Sequence, residues 1–213
     1  MDGDDEISSL ASKIVDRIDH ICSWNDVENW HEIQLDCDWT QQTRDKFFRL
    51  CEKVREKLPK DKLLSSTIRL HQLRQSAPPV DYGVLMVYNT DDFHNPDTEN
   101  SILNDNTVEL YLSKGKEDFN LPLDIALPIY QWYLVFGKEG NFKRISSEKS
   151  ESLENDEEVK FESVPYETIE KTQSLLNKHL NLQKGHHSTI LYHLNEKNIK
   201  NYSDEQIKNI YNN

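Results

Sequence analysis

The chain has 213 residues, 38 acidic against 25 basic, and a net charge of −13. That field repels phosphate backbones and anionic lipid surfaces, which argues against nucleic acid as a partner. The length suffices for one sizeable core, so the reading is a single domain over residues 1–213, and no apolar run approaches the roughly 20 residues of a spanning helix. The opening Met1-Asp-Gly-Asp-Asp-Glu6 has neither the basic nor the apolar part of a signal peptide, so the chain as written is expected in the cytoplasm. Cys22, Cys37 and Cys51 are odd in number, lack the close spacing of zinc or redox pairs, and read as reduced thiols, with Cys37 and Cys51 on apolar faces.

In chain order, Ile7, Leu10, Ile14, Ile18 and Ile21 recur at helical spacing over residues 6–23, behind an acidic start that suits a helix N-terminus. A strand follows over Glu32 to Thr40. Thr40 then caps a helix with Phe47, Leu50, Cys51, Val54 and Leu58 inward, closed by Pro59. A second strand spans 64–72, and Ala77-Pro-Pro79 makes the loop after it. Gly83 to Asn89 is apolar and β-branched enough for a buried strand, and 99–113 reads as helix. Leu121 to Tyr130 is the fourth strand, and Trp132 to Phe136 covers apolar surface. Residues 144–160 are rich in Ser, Glu, Asp and Lys without apolar period, which predicts a solvated, mobile excursion. Val159 to Val164 pairs outside the main sheet, Thr168 to Leu180 is helical, and His186-His187 reads as a surface turn. The last strand is Ser188 to Asn195, and the capping-box spacing of Ser203 and Gln206 opens a short terminal helix.

Strand alternation puts Ile33, Leu35, Cys37 and Trp39 on one face of the first strand and Gln34, Asp36 and Asp38 on the other. A buried parallel strand is usually apolar on both faces, and burying two carboxylates without partners is costly, so this polar face points to a site. The second strand repeats the pattern, with Ser65, Thr67, Arg69 and His71 opposite Leu64, Ser66, Ile68 and Leu70. If both polar faces look inward, Arg69 and His71 meet Asp36 and Asp38, which lowers the carboxylate pKa values and raises that of His71. Such a cluster either serves chemistry or satisfies itself as an ion network. Five main strands with helices or long connections imply a parallel sheet, and no glycine-rich fingerprint supports a dinucleotide fold. The strands end in Asp36 and Asp38, His71 and Gln72, Tyr88 and Asn89, Tyr130 to Trp132, and His193 and Asn195. A barrel builds its site in this way, on the carboxyl ends of its strands.

Two resemblances rest on these residues. Gln34-Leu-Asp-Cys-Asp-Trp-Thr40, Ser66-Thr-Ile-Arg-Leu-His-Gln72, Pro78-Pro79, Leu85-Met-Val-Tyr-Asn89, Asn100-Ser-Ile-Leu103 and Leu123-Asp-Ile-Ala-Leu-Pro128 resemble an uncharacterised bacterial family, domain of unknown function thirty-one forty-two. More distantly, Asp36-Cys-Asp38-Trp-Thr40 and Met86-Val-Tyr88-Asn89 are similar to the Asp-x-Asp-x-Glu and Met-x-Tyr-Asp motifs on the fourth and sixth strands of the chitinase-like glycosidases. In those enzymes the last Glu is the general acid, the preceding Asp assists an N-acetyl nucleophile and the Tyr steadies it. The resemblance gives the last two roles to Asp38 and Tyr88. Thr40 stands where the acid belongs, and a hydroxyl cannot protonate a leaving oxygen near neutral pH. Asp36, Asp38 and His193 are the alternative proton sources; otherwise the chain binds glycans without cutting them. The same alignment makes the five strands the fourth to eighth of an eight-stranded barrel, in a chain shorter than the roughly 250 residues typical of that fold. It also implies an envelope or secreted location for a longer parent.

The sequence therefore reads as an α/β protein with a TIM-barrel-like parallel sheet, incomplete. Its catalytic candidates are Asp36, Asp38, His71, Tyr88 and His193; its substrate-binding candidates are Arg69, Gln72, Asn89, Tyr130, Gln131, Trp132 and Asn195. Carbohydrate is the implied partner, no cofactor or metal is assigned, and oligomeric state leaves no mark. The functional readings are a glycoside hydrolase-like protein, catalytic or degenerate, a non-catalytic glycan-binding or envelope-associated protein, and a metal-dependent hydrolase such as a deacetylase. Two Asp and two His suit the last, although no short ligand motif supports it. Tyr88, Tyr130, Trp132 and Tyr192 read either as sugar platforms or as core, with Tyr192 on an apolar face beside Ile190 and Leu194. His71 and His193 read as acid–base groups, as metal ligands or as satisfied core histidines. The acidic run Glu148 to Glu158 fits solvated loop and no calcium-loop spacing.

Overall fold

The computed structural model describes residues 3–114, 119–149, 157–180 and 188–212. It is an α/β fold with a five-stranded sheet and a separate three-stranded one. The elements in chain order are α1 (Gly3–Trp24), β1 (Glu32–Leu35), α2 (Arg44–Lys57), β2 (Leu63–Arg69), β3 (Tyr82–Met86), α3 (Asp105–Ser113), β4 (Leu123–Pro128) and β5 (Trp132–Phe136). They continue as β6 (Phe142–Ser146), β7 (Glu158–Glu162), α4 (Tyr166–His179), β8 (Thr189–Tyr192), α5 (Glu196–Ile199) and α6 (Asp204–Asn212). The larger sheet has the order β1-β2-β3-β4-β8, the succession of part of a parallel (β/α) barrel, as the sequence predicts. Among the described residues, no helix is long and apolar enough to cross a membrane.

The chain divides into two compact units, one of Met1–Val84 with Lys116–Leu123, the other of Leu85–Gly115 with Asp124–Asn213. In the first unit, β1 and β2 pair in parallel with Ile33 opposite Leu64 and Gln34 opposite Ser65. Ile33 and Leu64 lie in one core with Ala11 and Val15 of α1 and with Phe47, Cys51 and Val54 of α2. The helical spacing of these residues puts them on one stripe of each helix. Arg49 of α2 ties down the α1 N-terminus by donating from Nε to the Asp4 carboxylate at 3.0 Å. Trp39, 1% exposed, stacks on Phe47 with ring centroids 6.2 Å apart. Asp81 accepts from the Leu64 amide at 2.7 Å and pairs with Arg55, so the β2 entry is fixed from two sides. Gly83 is required where it stands: a Cβ there would lie 2.7 Å from Ile68 Cγ1 and 3.0 Å from Leu123 Cδ2.

In the second unit, β4 and β8 pair in parallel with Ile125 opposite Thr189 and Pro128 opposite Tyr192. The smaller sheet, β6-β5-β7, is antiparallel on both sides of β5. Asn104 caps α3 by accepting from the Asn106 amide at 3.1 Å. The predicted capping box of α6 is present, with the Ser203 amide donating to Gln206 Oε1 and the Gln206 amide donating to Ser203 Oγ.

Several boundaries differ from the sequence reading, and hydrogen bonding explains them. The first strand stops at Leu35, so Asp36 to Thr40 form an extension past the ladder, in which Asp36, Cys37 and Asp38 are exposed and Trp39 alone is buried. Cys37 is therefore not on an apolar face. Thr40 does not cap α2: Thr43 occupies the cap position, and its hydroxyl accepts from the Thr40 amide at 2.9 Å. The second strand ends at Arg69, and Leu70–Arg74 is a turn of 3-10 helix, so His71 and Gln72 leave the strand. Residues 99–104 precede the helix that begins at Asp105, because Asn104 caps it. Tyr88 and Asn89, Tyr130 and His193 follow their strands, and Trp132 opens β5 of the smaller sheet. Ile190, Tyr192 and Leu194 are 38%, 46% and 82% exposed, so that face of β8 is not buried. Parts of the 144–160 segment are strands β6 and β7; its centre, like His186-His187, lies outside the described residues.

Leu64 is fully buried at the β2–helix interface. Leu64→Ala is expected to destabilise the chain by about 2–5 kcal/mol in denaturant unfolding, the range for a buried leucine that leaves a cavity.

Candidate functional site

The polar face of the β1–β2 pair is a ladder of side-chain bonds one residue in two along each strand, as alternation requires. Ser65 donates to Glu32, whose other carboxylate oxygen accepts from the Tyr82 hydroxyl at 2.5 Å. Gln34 Nε2 donates to Ser65 Oγ at 3.2 Å, and the Thr67 hydroxyl donates to Asp36 Oδ1 at 2.7 Å. Past the strand ends, Arg69 forks onto Asp38, from Nε at 2.5 Å and from the second guanidinium nitrogen at 3.2 Å. The sequence thus brings Asp36, Asp38 and Arg69 together, although Arg69 serves Asp38 alone among these bonds and Thr67 serves Asp36. Asp38 keeps 65% of its side chain exposed, so these carboxylates are not the buried charges the alternation implied. Ser65 and Thr67 lie on the polar face that the alternation marked; Glu32 and Tyr82 belong to the same ladder and were not singled out in the sequence, and extending the β1 alternation by one step would have found Glu32.

His71 is exposed on the 3-10 turn. Its pKa is lowered, not raised: partial desolvation pushes it down, and Arg69 and Arg74 add to that against the opposing Asp38. Gln72 is fully buried and uses both ends of its amide, donating to the Trp39 carbonyl at 2.8 Å and accepting from the Arg69 amide at 2.8 Å. It holds backbone on both sides. The Cys37 thiol is pushed up by desolvation and by the neighbouring Asp38 and Asp36, and burial pushes the Cys51 thiol up to about 12. Both stay protonated at neutral pH.

In the second unit the chain just past β3 and β4 and at the end of β8 carries an aromatic group. Tyr192 lies flat on Tyr88, centroids 4.9 Å apart and planes within 5°. Tyr130 meets both edge-on, at 6.2 Å and 5.8 Å, and meets Trp132 at 5.4 Å. The Tyr130 hydroxyl donates to Asn89 Oδ1 at 2.5 Å, and Asn89 takes the left-handed backbone (φ 52°) that asparagine tolerates better than most residues. The His193 ring lies 6.1 Å from Tyr130. Tyr88 and Tyr130 are buried, whereas Tyr192 and His193 are exposed. Asn195 is a helix cap, accepting from the Lys197 amide at 2.8 Å, and Gln131 accepts from Asn201 Nδ2 at 3.0 Å.

Trp132 is held by a residue the sequence did not single out. Glu162, 3% exposed, accepts on Oε2 from the Trp132 indole at 2.9 Å, the Ser101 amide at 3.0 Å and the Ser101 hydroxyl at 2.5 Å. Its Oε1 lies 3.0 Å from Lys160 Nζ. Burial raises its pKa, but the bonds from Ser101, Trp132 and Lys160 together outweigh it and hold the carboxyl below its ordinary 4.5. Among the described residues, no three His, Cys, Asp or Glu side chains are grouped to hold a metal ion.

The fold is that of a TIM barrel, present in part. Among solved structures, the chain is similar to the spore cortex-lytic enzyme SleL of Bacillus cereus, with a TM-score of 0.56 and 14% identity over 86% of this chain and 50% of that one. It is likewise similar to a chitinase from Chromobacterium violaceum, with a TM-score of 0.56 and 13% identity over 97% of this chain and 74% of that one. The chain spans half the length of SleL. At these identities the likeness is one of fold. No family model matches the chain, and no curated protein matches it.

A carboxylate with a depressed folded pKa contributes stability above its unfolded pKa and loses it as pH falls through the folded value. Glu162 therefore adds to the loss of stability on acidification below 4.5. In melts taken down that range, Glu162→Gln is expected to start less stable than the parent and to lose less on acidification. Equal losses in both would contradict the assignment.

Proposed function

We propose that this chain is a glycoside hydrolase-like protein that engages a bacterial polysaccharide and binds it without cutting it. The observation that carries the reading is the aromatic group of Tyr88, Tyr130, Trp132 and Tyr192 at strand ends of a glycosidase-like fold. Sugar rings present apolar C–H faces and hydroxyl edges, which amphipathic aromatic rings and amides match. Tyr192 and His193 supply the exposed contacts, with Asn89 and Tyr130 fixed behind them.

The non-catalytic half of the proposal follows from Thr40, whose hydroxyl replaces the chitinase-type acid. In its own unit, Asp38 is tied to Arg69 and Asp36 to Thr67, and we read Asp36, Asp38, Arg69 and His71 as a polar sugar-contacting group of that unit by itself. Membership of the bacterial family of unknown function thirty-one forty-two, and an envelope setting, belong to the same proposal and rest on the sequence motifs. A deacetylase-like metal hydrolase has no cluster of ligands among the described residues to favour it.

Titration calorimetry with the N-acetylglucosamine tetramer tests the reading. Tyr192→Ala is expected to weaken binding by about tenfold or more, the loss of roughly 1.4 kcal/mol or more of stacking. Asp38→Asn is expected to change stability by less than about 1 kcal/mol, since the Asp38 carboxylate is largely exposed. No heat of binding from any oligosaccharide, or release of product from the tetramer, would each contradict the proposal.

A further inference from the structure

Beside the aromatic group, the second unit contains a cleft of about 510 Å³, and of its lining the sequence marks Tyr130 and Gln131 as binding candidates. Its walls come from three connections and the elements beside them: the β4–β5 link with Tyr130 and Gln131, the β7–α4 link with Phe161 of β7 and Tyr166 of α4 on either side, and the α5–α6 link with Asn201, followed by Gln206 of α6. The size is within the range of small-ligand sites. Its chemistry is specific. Phe161 is 48% exposed, backed on Tyr133 at 4.9 Å between centroids, and presents a fixed apolar ring. The Asn201–Gln131 bond uses one atom of each amide and leaves the Gln131 Nε2 donor and the Asn201 Oδ1 acceptor to a ligand. Gln206 Oε1 is held by the Ser203 amide, which leaves its Nε2 as a further donor.

The cleft is also rigid where it needs to be. Tyr202 is buried at its base with its hydroxyl donated to the Val164 carbonyl at 2.6 Å. Tyr130 is held by its bond to Asn89 and by Tyr88 and Tyr192, so one ring serves both the strand-end group and the cleft. Among the described residues of the lining, Glu167 is the one charged side chain and none is cationic. An aromatic face, paired amide donors and acceptors and a described lining that carries Glu167 and no cation together favour an uncharged, hydroxyl-rich ring over phosphate, carboxylate or a purely apolar ligand.

We infer that this cleft is a second sugar subsite, binding a neutral pyranose residue through Phe161, Gln131 and Asn201. The inference rests on the glycan reading above and deepens it: the glycan continues from the strand-end rings past Tyr130 into the cleft. The occupant is one further neutral residue of the same chain, and longer oligosaccharides gain affinity by filling both places.

The test is an amide-resolved NMR titration of the whole chain with the N-acetylglucosamine tetramer, with the side-chain amides of Gln131 and Asn201 assigned by their loss in Gln131→Ala and Asn201→Ala. Both amides are expected to shift on binding, and Phe161→Ala and Asn201→Ala are each expected to weaken the tetramer about tenfold with unaltered melting. Parent-like affinity in both variants, with binding lost in Tyr192→Ala, overturns the cleft and leaves the strand-end reading standing. Failure of the parent chain to bind the tetramer at all overturns both.

Discussion

A parallel strand pair delivers both of its carboxyl ends to the same edge of a sheet, because the chain must cross back before the second strand begins. In the β4–β8 pair the register sets Pro128 opposite Tyr192, so the residues that follow, Ile129 to Trp132 and His193, emerge together. The Ile129 amide closes this edge by donating to the Tyr192 carbonyl at 2.7 Å. Tyr130 and Tyr192 meet edge to face there because the register has already placed their backbones. The same constraint acts on β1 and β2, where Gln34 opposite Ser65 carries forward to Asp36 beside Thr67 and Asp38 beside Arg69.

The two units treat polar groups differently. Along β1 and β2, buried hydroxyls of Ser65 and Thr67 are satisfied by carboxylates that themselves reach water, so no charge is stranded. Glu162 is the opposite case, a carboxylate with almost no exposure that stays ionised because an amide, a hydroxyl, an indole and a lysine converge on it. Such a group is retained at a cost in desolvation. What it achieves is to fix the Trp132 ring and the Ser101 backbone in one arrangement, next to the rings on which the proposed function depends.

Most of the architecture was legible because its signals are periodic. The apolar stripes of α1 and α2, the alternation of β1 and β2, and the Ser203–Gln206 cap are local patterns that tertiary structure left intact. The endings were not legible. Alternation continues through Asp36, Cys37 and Asp38 in the sequence, but a strand lasts only as long as its ladder, and the ladder ends at Leu35 opposite Ser66. For the same reason His71 and Gln72 read as strand yet turn into 3-10 helix, one outward and one into the core. Of the site residues, the tyrosines and Asn89 were visible as polar or aromatic strand endings. Glu162, Asn201 and Phe161 were not, since each acts through partners distant in sequence and stands in no motif.

The measurement that bears most directly on the account is the thermal midpoint of the purified chain, alone and with N-acetylglucosamine oligomers. A ligand at about 100 times its dissociation constant adds about 2.7 kcal/mol, a rise of about 5 °C or more for a chain of this size. The account predicts such a rise with the N-acetylglucosamine oligomers, growing with oligomer length. A cooperative melt that no oligomer moves would contradict it.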